Sequence, residues 1–203
     1  AESLKIHTWS PRHDYDCYIA LTIYFDKENY TFELSDSIED IEEYCEGEDF
    51  DSEYYLDLYK NGKVTALDLN ANFFSDDFAA TLADGLSFLA QNDPPYGIHC
   101  TEGKDRAGFA VMLLAALMGA ELEEIIDDYM LSFYNYYGID KESEPERYEA
   151  VLNNNLLVIL YHVTGVNTYE ELIQVDLESA VTKYLLDAGM EENDILTLKE
   201  KLR

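Results

Sequence analysis

The apolar residues of this chain follow two rhythms. Short runs rich in β-branched and aromatic residues, Cys17 to Phe25, Tyr30 to Leu34, Val64 to Leu69 and Tyr96 to His99, have the length and composition of strands. Elsewhere apolar positions recur every three or four residues. Phe78, Leu82, Leu86 and Leu89 do so behind Ser75, with Asp76 and Asp77 in the first turn, which predicts a helix to about Gln91. The Asn92-Asp93-Pro94-Pro95 break ends it. Arg106 to Met118 is almost uniformly apolar, so this helix is expected to be buried on most sides. Further helices are expected at Glu121 to Tyr137, Glu146 to Val163, Asp176 to Ala188 and Glu192 to Leu202, with Gly119, Gly138 and Gly189 at C-terminal cap positions.

The first third of the chain is less regular. Ser37 to Tyr44, capped at Asp36, reads as a short acidic helix, and Glu46 to Tyr59 as an irregular connection leading to a turn at Gly62. Ala1 to Asp14 is polar and locally basic, holding Lys5, His7, Arg12 and His13. Strands alternate with helices first, and helices alone follow. That order predicts an α/β fold, with a central, mostly parallel sheet flanked by helices and a helical C-terminal part. The expected division is residues 1–165 as the α/β domain and 166–203 as a helical pair packed on it.

Charge narrows the function classes. The 203 residues carry 13 Lys and Arg against 43 Asp and Glu, a net charge of −30. Nucleic acid is excluded as a partner, because a phosphate backbone needs a basic surface. Anionic membranes are disfavoured for the same reason. A phosphate-bearing substrate is also repelled at long range, so a phosphate site here must rely on short-range donors. The plain meaning of the acidity is solubility or a high-salt habitat. No apolar run approaches the ~18 residues of a membrane span; the most apolar stretch is Phe109 to Met118. The expectation is a cytoplasmic or secreted protein without stable membrane insertion.

Cys17, Cys45 and Cys100 form no CxxC pair, so no disulfide framework is expected. Cys100 lies in the string His99-Cys100-Thr101-Glu102-Gly103-Lys104-Asp105-Arg106-Ala107-Gly108, between a predicted strand and a predicted helix. A free cysteine at a strand end is, taken alone, an ordinary core residue. The surrounding pattern makes it more. Gly103 permits a tight loop whose backbone N–H groups can wrap an oxyanion. The helix opening at Arg106 turns the positive end of its dipole toward the same anion, and the Arg106 fork matches two phosphate oxygens. That positive environment favours the Cys100 thiolate, placed behind a cradled phosphate for in-line attack.

The string resembles the signature loop of the protein tyrosine phosphatase superfamily, His-Cys-x2-Gly-x2-Arg. Its Gly-Lys-Asp-Arg core is similar to bacterial tyrosine phosphatases of the atypical dual-specificity group, some of which act on phosphoinositides. The resemblance extends from about Ser35 to the C-terminus, where Tyr184-Leu185, Gly189-Met190, Ile195 and Leu198 resemble the family's terminal helical pair. It implies a cysteine-phosphatase-like fold and hydrolysis of a phosphorylated protein or phosphoinositide through a phosphocysteine, without metal or cofactor. It implies Cys100 as nucleophile and Arg106 as phosphate clamp. Phosphate would be bound by Thr101, Glu102, Gly103, Lys104, Asp105 and Arg106, with His99 ordering the loop. A lysine at position 104 is associated in relatives with polyanionic substrates.

The general acid stays open between two aspartates. Asp68 ends the predicted Val64–Leu69 strand, 32 residues before Cys100, about the separation in dual-specificity members. Asp105 lies in the loop, where some bacterial relatives carry the acid. Each has a plain alternative: Asp68 as a turn residue before Asn70, Asp105 as a helix N-terminal acid or as a partner of Arg106. The sequence also departs from the family pattern. Ala107 replaces the usual Ser or Thr, which implies slow hydrolysis of the phosphocysteine; Glu102 puts an acid into the loop; and the family's N-terminal Asn-Phe-Arg-Asp-like segment is missing. A phosphate-binding module that has lost turnover is therefore the competing reading. An arsenate reductase or sulfurtransferase fits less well, because the other cysteines lie more than 50 residues upstream.

Other constellations are weaker. The acidic clusters Glu39–Glu43, Glu121–Asp128 and Glu142–Glu146 read as solvated helix faces and lack EF-hand spacing. His7, His13 and His162 have no metal-ligand spacing. The aromatic run Phe133-Tyr134-Asn135-Tyr136-Tyr137 fits helix packing, or else the wall of a substrate pocket.

Overall fold

The structure, a computed structural model, describes residues 6–9, 30–34, 37–46, 53–94, 96–100 and 102–203. Four strands, β1 (Ile6–Trp9), β2 (Tyr30–Glu33), β3 (Val64–Ala66) and β4 (Tyr96–His99), form a parallel sheet in the order β1-β4-β2-β3. The sheet centre is β4, paired with β1 from Ile6↔Tyr96 to Trp9↔His99 and with β2 from Tyr30↔Tyr96 to Glu33↔His99. All four β4 residues are buried, as a strand covered on both faces of a parallel sheet must be. The predicted Cys17–Phe25 strand lies outside the described residues.

Register explains how the two faces are covered. Side chains alternate along a strand, and residues in register share a face. Tyr96 and Ile98 therefore look to one side, where they join a large cluster with Leu34, Leu69, Phe78, Leu82, Phe109 and Leu113. Val64 and Ala66 are in register with Thr31 and Glu33, and those with Gly97 and His99, so they look to the other side. There Val64 meets Ile41, Cys45 and Leu58 of helices α1 (Ile38–Glu46) and α2 (Glu53–Lys60). Helix α2 replaces the irregular connection expected at Glu46 to Tyr59. Its periodicity is weak, but Leu56, Leu58 and Tyr59 pack on this second cluster, and that contact fixes the helix. The cap of α1 is Ser37, whose Oγ accepts from the Asp40 N–H at 3.1 Å while Asp40 accepts from the Ser37 N–H at 3.0 Å. The cap expected at Asp36 lies outside the described residues.

On the first face stand α3 (Asp76–Gln91), α4 (Arg106–Leu117) and α5 (Leu122–Tyr137). Ser75 caps α3 by accepting from the Phe78 N–H. Its far end is tied to β4 by the Tyr96 hydroxyl, which lies 2.9 Å from the Leu89 carbonyl and 2.6 Å from that of Asn92. Burial, reinforced by Asp93, pushes that phenol up to about 12, so it stays a donor. The residues buried on α4 lie all around it, from Ala107 to Leu117. Glu121 and Glu124 form a reciprocal capping box at the start of α5.

Helix α6 (Pro145–Val151) passes through a π-helical turn, Leu152–Leu156, into α7 (Leu157–Thr164), where the sequence predicts one unbroken helix. A four-residue helix α8 (Tyr169–Leu172), not anticipated, leads to α9 (Leu177–Asp187) and α10 (Glu192–Leu202). Leu185, Ile195, Leu198 and Leu202 belong to the large cluster. Lys201 donates to the Asn92 carbonyl at 2.6 Å, bringing the last helix to the turn before β4. Among the described residues no helix is long and apolar enough to cross a membrane.

Leu113 is fully buried at the centre of α4. Leu113→Ala is expected to lower stability by about 2–5 kcal/mol, read as a lower urea midpoint at unchanged m-value.

Candidate active site

The site assembles where β4, β2 and the segment after β3 end side by side. Two backbone hydrogen bonds carry the sheet past its strands: Leu34 N–H donates to the His99 carbonyl and Leu69 N–H to the Leu34 carbonyl, each at 2.9 Å. A side chain then takes over, as Arg106 Nη1 donates to the Leu69 carbonyl at 2.8 Å. The guanidinium at the start of α4 thus reaches across to the segment holding Asp68. Strand β3 ends at Ala66, three residues short of the expected Leu69, although Leu69 still donates to the Leu34 carbonyl.

Cys100 leaves β4 with 2% exposure and is a free thiol. It packs with Tyr96 and Ile98 on the large cluster. His99 lies buried on the opposite face, with its carbonyl held by Leu34. Thr101 lies outside the described residues. Gly103 has φ +71°, a left-handed conformation that only glycine adopts at no steric cost. Asp105 occupies the N-cap position of α4 but makes no side-chain cap; its Oδ2 accepts from Lys104 Nζ at 2.6 Å. Lys104 also pairs with Glu102 Oε2 at 2.7 Å. Burial would lower the Lys104 pKa, but hydrogen bonds and charges from Asp105 and Glu102 outweigh it and hold the ammonium above the ordinary lysine range. Asp105 accepts from Lys104, while Arg106 donates to the Leu69 carbonyl.

Asp68 is exposed and has φ +49°. Among described non-glycine residues it alone has positive φ. Aspartate tolerates this region better than most residues. Such backbone costs of order 1–3 kcal/mol and persists where surrounding contacts impose it. Here Leu69, the next residue, is fixed through both its N–H and its carbonyl.

Helix α5 backs the loop with three aromatic rings at helical spacing. Tyr129 lies against Gly108: a Cβ there would stand 2.9 Å from Cε2 of that ring. Phe133 and Tyr137 lie under Lys104, whose Nζ is 5.5 and 5.9 Å from their centroids. Phe133 and Tyr137 also line a cavity of about 250 Å³ with Ile139, Arg147, Ala150 and Val151. Burial pushes the Tyr129 phenol above the ordinary tyrosine range, with the Asp105 charge acting the same way, and the Asn155 side chain hydrogen-bonds its hydroxyl. Tyr129 escaped the sequence reading, although its spacing of four from Phe133 and eight from Tyr137 was a usable signal. The Leu69 carbonyl carried none, since backbone contacts leave no mark on residue type. Among the described residues no cluster of His, Cys, Asp and Glu could hold a metal ion.

The family model described as "Tyrosine phosphatase family" matches residues 30–203. The chain belongs to the tyrosine phosphatase family. A Cupriavidus necator protein named "Putative tyrosine-protein phosphatase" is 42% identical over 48 residues, which cover 24% of this chain. The match spans 18% of that relative's length. No solved structure matches.

Gly108→Ala forces the new methyl into Tyr129. It is expected to cost about 1–3 kcal/mol, and Tyr129→Leu in the same chain should return part of the lost melting temperature.

Proposed function

We propose that the chain hydrolyses phosphomonoesters through a covalent phosphocysteine on Cys100. The observation that carries this reading is the placement of Cys100 at the end of the central strand, ahead of a loop that opens α4 at Arg106, with that guanidinium pinned to Leu69. The parallel sheet with helices on both faces supports a cysteine-phosphatase-like architecture, in which ligands sit at the carboxyl ends of strands. The Cys100 thiolate attacks phosphorus, the P–O ester bond breaks, and the departing oxygen takes a proton from an acid. Water then attacks phosphorus and gives its proton to the carboxylate left by the first step, the S–P bond breaks, and the thiolate returns with inorganic phosphate released. Arg106 and the α4 N-terminus supply the positive field for the equatorial oxygens; the scheme uses no metal.

Asp68 is the better general acid. Its segment is joined to Arg106 through Leu69 and its backbone is held at positive φ, while the Asp105 carboxylate is occupied by Lys104. The favoured substrate is an aryl phosphate such as protein phosphotyrosine, supported by the mostly apolar cavity beside Phe133 and Tyr137; a phosphoinositide is the alternative. Ala107 is fully buried and carries no hydroxyl to ease thiolate departure, so hydrolysis of the phosphocysteine is the slow step.

The wild type should release a burst of product from p-nitrophenyl phosphate, then turn over slowly, with vanadate inhibiting both phases. Cys100→Ser should abolish burst and turnover together, and hydrolysis surviving in that variant would sink the reading. Asp68→Asn should slow phosphorylation of Cys100 by an alkyl phosphate about 10²-fold or more, with a much smaller loss for the good leaving group p-nitrophenol. Asp105→Asn showing these effects while Asp68→Asn does not would move the role to Asp105.

A further inference from the structure

Lys104 is one of only 13 basic residues in a chain with 43 acids, and it stands in the phosphate loop. It is 9% exposed. An ammonium has three donors and no acceptor. Two carboxylates take it, Glu102 at 2.7 Å and Asp105 at 2.6 Å. Phe133 and Tyr137 lie 5.5 and 5.9 Å away, within the roughly 6 Å at which a ring face attracts a cation. Carboxylates and rings therefore already surround the charge. The loop faces an electrostatic difficulty, since Glu102 and Asp105 bracket a site that must accept a dianion. With Lys104 and Arg106 present, two acids and two bases balance; without Lys104 the loop is net negative.

We infer that Lys104 is the internal counter-ion of the loop, a positioning residue that neutralises Glu102 and Asp105 and seats the loop on α5, and that it is not a ligand of the substrate's phosphate. This role rests on the phosphomonoester reading above. Its ammonium stays charged because the two carboxylates more than offset the effect of burial. Loss of Lys104 would act by leaving two acids uncompensated beside the anion, and also by freeing the loop from Phe133 and Tyr137. A direct contact with the anion would be lost whatever the state of Glu102. A counter-ion, by contrast, becomes less needed once an acid is gone.

A double-mutant cycle separates the two. Orthovanadate binding is measured by calorimetry for the wild type, Lys104→Met, Glu102→Gln and the double variant, alongside melting curves of each without ligand. Lys104→Met should weaken vanadate binding about tenfold and lower the melting temperature by about 2–4 °C. Glu102→Gln in the same chain should recover most of both losses. Asp105→Asn in place of Glu102→Gln should act in the same direction, which guards against a fault peculiar to one substitution. An equal loss of vanadate affinity with or without Glu102 means that Lys104 touches the anion, and overturns the inference. A wild type that binds no vanadate overturns the phosphatase reading instead; the ligand-free melting cycle still tests the ion pairing, and absence of coupling there overturns the counter-ion role as well.

Discussion

Three consecutive hydrogen bonds hold the site together: Leu34 N–H to the His99 carbonyl, Leu69 N–H to the Leu34 carbonyl, and Arg106 Nη1 to the Leu69 carbonyl. The first two extend a parallel ladder beyond its strands, and the third substitutes a guanidinium for the next backbone donor. A charged donor makes a stronger bond than an amide would. The end of β4, which presents Cys100, the segment bearing Asp68 and the first residue of α4 are thereby fixed relative to one another by short links. The buried sheet centre beneath keeps these links dry and stiff. The positive φ of Asp68 follows from this geometry, because the chain must turn sharply to offer the Leu69 carbonyl to Arg106.

Behind the loop, α5 acts as a backing plate. Tyr129 occupies the space that Gly108 leaves open, and Phe133 and Tyr137 receive the buried ammonium of Lys104. A chain with net charge −30 would not be expected to gather a dianion from solution by long-range attraction. The loop instead concentrates two cations within three positions, Lys104 and Arg106, and directs them differently. One is turned inward to acids and rings, and the other reaches to the sheet end.

Much of this was legible in the chain. The helix behind Ser75, the all-round apolar α4 and the glycines closing α4, α5 and α9 follow from local rules, and the coordinates place them within a residue or two. The loop was legible because its residue types are specific to its chemistry. Other features depend on distant partners. Strand β1 was hidden in a polar, basic stretch, since a strand that gains its stability by pairing with β4 needs little apolar content of its own. Helix α2 owes its form to Ile41, Cys45 and Val64. That Lys104 is held by Glu102 and Asp105 above Phe133 and Tyr137 depends on where α5 packs, which spacing does not encode.

The π-helical turn at Leu152–Leu156 carries a consequence of a different kind. A turn closed by i→i+5 bonds holds one residue more than its neighbours, so the rod from Pro145 to Thr164 changes rotational phase by roughly one residue's arc midway along its length. Its two halves can then serve different neighbours: Asn155, within the wide turn, meets Tyr129 of α5, while α7 beyond it turns Leu157, Ile159 and Leu160 into the large cluster. The chain length of this segment is therefore set by packing. Removing one of Asn153, Asn154 or Asn155 would leave an ordinary α-helical register that no longer satisfies both neighbours at once. That makes a single-residue deletion here costlier than its polar, solvent-facing sequence suggests.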